Sequence, residues 1–135
     1  MSDSPWLLLI WIWWIAQDDR LSRKIEKRLM DGAESLAISS VSIYEAVLHI
    51  RRGRVVIDLP LNEWLHVATV EAGISVMAVN DDIAANAAAL PAHHGDPLDR
   101  MIIATALYRD ALLVSVDGQF SRYESLAGRL LSGKD

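Results

Sequence analysis

The chain has 135 residues, of which 52% are hydrophobic and 23% are charged, and its 13 basic and 18 acidic side chains give a formal net charge of -5. The absence of cysteine excludes disulfide scaffolds, zinc fingers and thiol catalysis, and it predicts a reducing cytoplasm. The length of the chain predicts one globular domain, residues 1–135. The acidic balance disfavours non-specific binding to nucleic acid, because phosphate contacts need clustered lysine and arginine.

Charge and hydropathy vary along the chain. Eight of the 13 lysines and arginines lie between Arg20 and Arg54, whereas Val55 to Asp99 contains seven carboxylates and no lysine or arginine. This distribution predicts that separate parts of the surface attract anions and cations.

The longest apolar run, Trp6 to Ala16, has 11 residues, fewer than the roughly 20 that span a bilayer, and its flanks lack the features of an export signal. We therefore expect neither a membrane anchor nor secretion.

Short apolar runs alternate with longer helical patterns. Four runs rich in Leu, Ile and Val predict strands: Trp6 to Ile10, Leu36 to Ser39, Ile74 to Val79 and Leu112 to Val116. Five segments with helical periodicity, three of them followed by a glycine, predict helices: Arg20 to Met30, Ser42 to Ile50, Leu61 to Glu71, Asp81 to Leu90 and Pro97 to Arg109. Strands without polar alternation are typical of a sheet covered on both faces, which predicts a three-layer α/β/α sandwich with a mainly parallel sheet.

Three carboxylates stand at junctions between these elements. Glu45 lies about one turn into the helix after the second strand, Asp99 in the first turn of the last helix, and Asp117 directly after the fourth strand. In parallel sheets such positions meet at the carboxyl edge, where sites gather. Carboxylate oxygens suit Mg²⁺ or Mn²⁺, and a metal held this way activates water and neutralises charge on a phosphodiester. The pattern favours hydrolysis of a nucleic-acid backbone.

Each of these carboxylates also has a purely structural interpretation. Ser42 and Glu45 have the spacing of a capping box. Asp96 before Pro97 is a typical helix cap, and acids such as Asp99 are favoured in the first turn by the helix dipole. Asp117 before a glycine suits a turn. However, three carboxylates with separate structural roles have no reason to lie at the same edge of the sheet. Their predicted position at one edge therefore favours a shared site.

Other polar motifs carry weaker signals. His93 and His94 lack further ligands at metal-binding spacing, which indicates a solvated loop, and Ser115 has no nucleophile-elbow pattern around it. One basic cluster fits either phosphate contacts or a solvated helix end: Arg51, Arg52 and Arg54. A phosphoacceptor receiver domain fits the length, but it needs paired acids directly after the first strand and a lysine after the last, and the only lysines of the chain are Lys24, Lys27 and Lys134.

The order of these segments resembles PIN-domain nucleases, and most closely the VapC-type toxins of toxin–antitoxin pairs. The resemblance covers nearly the whole chain, and its most specific part is the His-His-Gly-Asp-Pro-Leu-Asp-Arg stretch from His93 to Arg100. The other segments that carry it are Trp13 to Ser22, Ser39 to Arg54 and Leu113 to Asp117.

The resemblance implies a Mg²⁺- or Mn²⁺-dependent endoribonuclease, usually a homodimer, that a small antitoxin silences by inserting a peptide near the active site. By position, Glu45, Asp99 and Asp117 match three of the family's four acidic residues, which are catalytic and hold the metal. Ser115 matches the small hydroxyl residue near the last acid, and Asp96 matches the family's Asp-Pro-x-Asp pattern, where we expect it to cap the helix.

The chain departs from the family at the first strand, which in the family ends in an aspartate. Here no polar residue occurs from Trp6 to Ala16. Asp3 lies at the opposite sheet edge, about 20 Å away at 3.3 Å per residue, and Asp18 and Asp19 lie beyond the next helix, about 10 Å away. We therefore expect weak or no cleavage, because losing one of four carboxylates lowers metal affinity and misplaces the attacking water.

A non-catalytic protein of the same fold, which sequesters an antitoxin or a partner subunit, is the alternative from another functional class. The tryptophan-rich start favours it slightly, because three closely spaced indoles do not readily fit one core and exposed aromatic rings mark interfaces: Trp11, Trp13 and Trp14.

Overall fold

The computed structural model describes residues 5–12, 22–31, 35–91, 96–115 and 130–132. Within these ranges the strands are β1 (Trp6–Leu8), β2 (Leu36–Ser39), β3 (Ile74–Met77), β4 (Leu112–Ser115) and β5 (Leu130–Ser132). The α-helices are α1 (Arg23–Met30), α2 (Ser40–Arg51), α3 (Leu61–His66), α4 (Asp81–Ala89) and α5 (Pro97–Tyr108), and α3 continues as a π-helical segment, Val67–Glu71. The sheet order is β3-β2-β1-β4-β5, with every neighbouring pair parallel.

Successive residues of the central strand β1 point into two different cores. Trp6 and Leu8 pack with one cluster, which includes Ile25 and Leu29 of α1. Leu7 packs with the other, whose helical members come mainly from α5: Ile102, Ile103 and Ala106. Burial on both faces explains why this strand shows no polar alternation in the sequence. The predicted α/β architecture with a parallel sheet flanked by helices is confirmed.

Most predicted elements are present, with ends that differ by a few residues. β1 ends at Leu8 instead of Ile10, because the chain turns at Leu9. The edge strand β5 was not predicted, since a run of three residues carries little periodicity. The predicted start of the second helix at Ser42 is wrong, because Ser39 already supplies the cap.

Trp11 joins the start of the chain to the segment after α3. Its side chain is only 1% exposed, its indole N–H donates to the Ala68 carbonyl at 2.9 Å, and its ring centroid lies 5.6 Å from that of Trp64. A buried indole N–H needs an acceptor, and Ala68 lies in the π-helical segment, where the regular pairing four residues apart is replaced by pairing five apart. Of the three closely spaced tryptophans, Trp11 is therefore a core residue, while Trp13 and Trp14 lie outside the described residues.

Arg100, in the first turn of α5, holds the end of α4. Its guanidinium donates to the carbonyls of Ala88 at 3.3 Å, Leu90 at 2.6 Å and Pro91 at 2.9 Å. The last carbonyls of a helix lack partners within it, and a cation there also complements the helix dipole. Arg100 thereby fixes the end of α4 relative to the start of α5.

Across the described ranges, no helix combines the length and the apolar character needed to cross a membrane.

Replacing Trp11 with Phe tests the indole hydrogen bond. We expect Trp11→Phe to lower the free energy of unfolding by about 1–3 kcal/mol, because the buried Ala68 carbonyl loses its donor. Urea denaturation followed by circular dichroism measures the change. Trp64→Phe is the control, because it makes the same chemical change in the neighbouring ring. An equal cost for the two variants would show that ring size, not the hydrogen bond, matters at position 11.

Replacing Arg100 tests the contact between α4 and α5. Arg100→Met keeps much of the aliphatic stem and removes the three donors, so we expect a loss of about 1.5–3 kcal/mol in unfolding free energy. The control is Arg109→Met at the other end of α5, where the guanidinium lies 5.8 Å from the Tyr108 ring centroid and where we expect less than about 1 kcal/mol. Chemical denaturation measures the unfolding free energy of both variants. An equal loss in the two would contradict the role of Arg100 in holding the end of α4.

Candidate active site

The sheet topology brings α2 and α5 to the same place. β1 lies between β2 and β4, and all three run parallel, so their carboxyl ends share one edge. α2 begins directly after β2, whereas α5 precedes β4 and therefore starts at that edge and runs back to the other. Residues early in α2 and early in α5 consequently face each other across the end of β1.

The start of α2 is fixed by two serines. Ser39, fully buried at the end of β2, accepts a hydrogen bond from the Val41 N–H at 3.1 Å and caps the helix. Ser40 accepts one from the Val79 N–H at 3.3 Å, which ties the chain after β3 to this helix end. Because the cap is Ser39, the capping-box interpretation of Ser42 and Glu45 is wrong. Glu45 lies in the second turn, past the unpaired amides that a capping carboxylate would serve.

The start of α5 places two carboxylates close together. Asp96 is the N-cap and accepts from the Leu98 N–H at 2.9 Å, with Pro97 at the first helical position. The capping role predicted for Asp96 is confirmed. Asp99 follows in the first turn, where the helix dipole favours negative charge. The Asp-Pro-x-Asp spacing thus puts both carboxylates at one helix end.

Glu45 interacts electrostatically with this helix end. Its pKa is raised from 4.5 to about 7, first by burial, which disfavours the charged form, and then by the negative charges of Asp99 and Asp96. The three carboxyl groups therefore share one acidic patch, and a half-buried carboxyl in such surroundings favours binding a proton or a cation. The position of Asp96 before Pro97 indicated only a cap, and the effect of its charge on the pKa of Glu45 was not predicted.

The oxygen donors at this edge fit a hard divalent cation in type and charge. Across the ranges that the structure describes, however, no three His, Asp or Glu side chains lie close enough together to hold a metal ion. Ser115, the last residue of β4, is buried at the same edge. Asp117, the third predicted acid, lies outside the described residues, as do His93 and His94.

The centre of this edge, after β1, is apolar. The chain turns through Leu9, whose N–H donates to the Val114 carbonyl at 3.0 Å, and both Ile10 and Trp11 are buried. The described residues that follow β1, Leu9 to Ile12, include no carboxylate. Asp3, Asp18 and Asp19, considered as substitutes, lie outside the described residues.

Comparison with known proteins agrees with this architecture. A model of the PIN domain matches residues 10–126. The chain is 33% identical over 111 aligned residues to a curated relative, "Ribonuclease VapC22" of Mycobacterium tuberculosis, and the alignment covers 78% of this chain and 79% of the relative.

Solved structures share the fold at low sequence identity. A toxin–antitoxin complex from Klebsiella pneumoniae has a TM-score of 0.63 at 16% identity and covers 96% of this chain and 98% of its own. VapBC2 from Rickettsia felis, bound to a promoter DNA fragment, has a TM-score of 0.67 at 16% identity and covers 94% and 97%. A DNA-bound VapBC from Salmonella typhimurium has a TM-score of 0.68 at 17% identity and covers 96% and 98%. The family model spans most of the sequence, and the chain belongs to the PIN domain family.

Proposed function

We propose that this chain is a metal-dependent endoribonuclease toxin of the VapC type. The observation that carries the proposal is the acidic patch of Glu45, Asp99 and Asp96 at the carboxyl edge of the sheet. It occurs in a PIN domain whose curated relative is named a ribonuclease.

Glu45 and Asp99, together with Asp117, would hold Mg²⁺ or Mn²⁺ in this proposal. When bound, such a metal activates water and neutralises the charge that develops on the phosphodiester. Glu45 accepts hydrogen bonds from the attacking water and orients it, while Asp99 keeps the local charge negative enough to attract a cation. Asp96 stays engaged with the helix amide and acts through its charge.

The proposed partners are an RNA substrate and a small antitoxin protein, with the chain as a cytoplasmic homodimer. Solved structures of the same fold include a complex titled as toxin–antitoxin and two VapBC assemblies. These likenesses support an antitoxin as the regulator of this chain.

We also propose that cleavage by the chain as printed is weak. By the resemblance to the family, its first aspartate would follow β1, where this chain has Leu9, Ile10 and the buried Trp11. With one carboxylate missing, the remaining acids hold a cation less tightly. The same feature supports the non-catalytic alternative, in which the fold is kept to bind an antitoxin or a partner subunit.

An assay of RNA cleavage in Mn²⁺ tests this proposal. We expect little cleavage by the chain as printed and at least about a tenfold gain when an acidic turn is inserted after Leu9. Asp99→Asn in the restored chain should abolish the gain, whereas Asp58→Asn, which removes an exposed loop carboxylate, should not.

Two outcomes would contradict the cleavage proposal. Strong cleavage by the chain as printed refutes the impairment. Absence of cleavage by the restored chain, together with co-purification of a small antitoxin and no metal binding, favours the non-catalytic alternative.

The raised pKa of Glu45 predicts a pH-dependent effect on stability. Because its pKa is about 7 in the folded chain against 4.5 as the ordinary value, folding is favoured while the group is protonated and loses this contribution as the pH rises from about 4.5 to 7. Glu45→Gln should therefore stabilise the chain at about pH 8 without divalent metal. We expect about 1–2 kcal/mol, since partial exposure screens the full effect.

Urea unfolding in EDTA at about pH 4 and about pH 8 measures this effect. The gain from Glu45→Gln should be nearly lost at the lower pH, where the carboxyl is mostly protonated in both the folded and the unfolded chain. Glu63→Gln, which removes an exposed carboxylate of α3, is the control. If Glu45→Gln and Glu63→Gln raise the free energy of unfolding equally at the higher pH, the acidic patch does not destabilise the folded chain.

A further inference from the structure

The outward face of α2 combines an exposed aromatic ring with exposed arginines. Tyr44, next to Glu45 in the helix, is 56% exposed. Arg51 and Arg52 end the helix, and Arg54 follows the left-handed Gly53; all three arginines are exposed. We call Tyr44, Arg51, Arg52 and Arg54 the α2 face.

The helical repeat aligns this face with the acidic patch. At about 100° per residue, positions seven apart lie on the same side of a helix, separated by about 10 Å along its axis. Arg51 is seven residues after Tyr44, and Arg52 is seven after Glu45. Arg51 therefore lies on the side of the helix that carries Tyr44, and Arg52 lies on the side that carries Glu45, each about 10 Å further along the axis.

The three arginines have donors to offer a ligand. None of them forms an ion pair with another residue in the part of the chain that the structure describes. The helix dipole accounts for basic residues at this end, but it does not account for an exposed tyrosine on the same side. In a chain with a net charge of -5, such a local excess of cations about 10 Å along the same helix from an exposed aromatic ring fits a polyanion with stackable bases.

We propose that the α2 face binds single-stranded RNA beside the acidic patch, with a base stacked on Tyr44 and backbone phosphates on the arginines. This inference rests on the proposed ribonuclease function and names how its substrate is held. Arginine binds phosphate with paired, charge-assisted hydrogen bonds, and base stacking on an aromatic side chain is tolerant of sequence. An acidic peptide would use the arginines but has no base to stack on Tyr44.

Fluorescence anisotropy with a short labelled oligouridylate in EDTA, where metal-dependent cleavage cannot occur, tests the arginines. We expect the double variant Arg51→Ala/Arg52→Ala to bind about tenfold more weakly and to lower the slope of log K against log salt by about 1.4. Arg23→Ala/Lys24→Ala, which removes the same charge from exposed positions of α1, is the control and should change affinity less than about twofold. Circular dichroism melts show that each variant is folded.

Substitutions of Tyr44 test stacking separately from charge. Tyr44→Ala should weaken binding about tenfold, whereas Tyr44→Phe should retain it, because the phenyl ring still stacks. A labelled oligoglutamate is the probe for the acidic-peptide alternative. Tighter binding of oligoglutamate than of RNA, or an arginine variant no weaker than its control, overturns the proposal.

The same variants separate this inference from the proposed function. RNA binding that depends on the arginines and on Tyr44, without cleavage in Mn²⁺ even after the acidic turn is restored, supports the α2 face while the ribonuclease proposal fails. Cleavage by the restored chain that is unchanged in the arginine variant, with unchanged binding, supports the ribonuclease and overturns the α2 face.

Discussion

Burial of β1 on both faces is the constraint on which the rest of the structure depends. With Leu7 in one core and Trp6 and Leu8 in the other, this strand can only lie at the centre of a sheet, and its parallel pairing with β2 and β4 puts three carboxyl ends together. α2, which follows β2, and α5, which precedes β4, then both start at this edge. The acidic patch is a consequence of that arrangement.

The acidic patch concentrates negative charge where the fold already removes water. Glu45 is half-buried and faces Asp99 and Asp96, so its charged form is disfavoured without a cation. The ionised acidic patch therefore destabilises the folded chain, whereas the hydrophobic cores and the helix caps stabilise it elsewhere. Such a conflict between folding and charge is typical of functional sites.

The turn after β1 is apolar. Ile10 and Trp11 lie in the core, and the indole N–H of Trp11 donates a hydrogen bond to the Ala68 carbonyl of the π-helical segment. This gives the sheet edge an apolar centre flanked by acids on α2 and α5. The buried indole therefore ties the start of the chain to the π-helical segment both by packing and by a hydrogen bond.

The sequence alone determined the parallel α/β architecture, four of the strands and the positions of Glu45, Asp96 and Asp99, because apolar periodicity and cap spacing are local signals. Only the tertiary structure decided that Ser39 caps α2, that Trp11 is buried against Ala68 and that Arg100 holds the end of α4. It also decided that Asp96 raises the pKa of Glu45. These outcomes depend on groups far apart in the chain meeting at hydrogen-bonding or electrostatic range, which no pattern of neighbouring residues specifies.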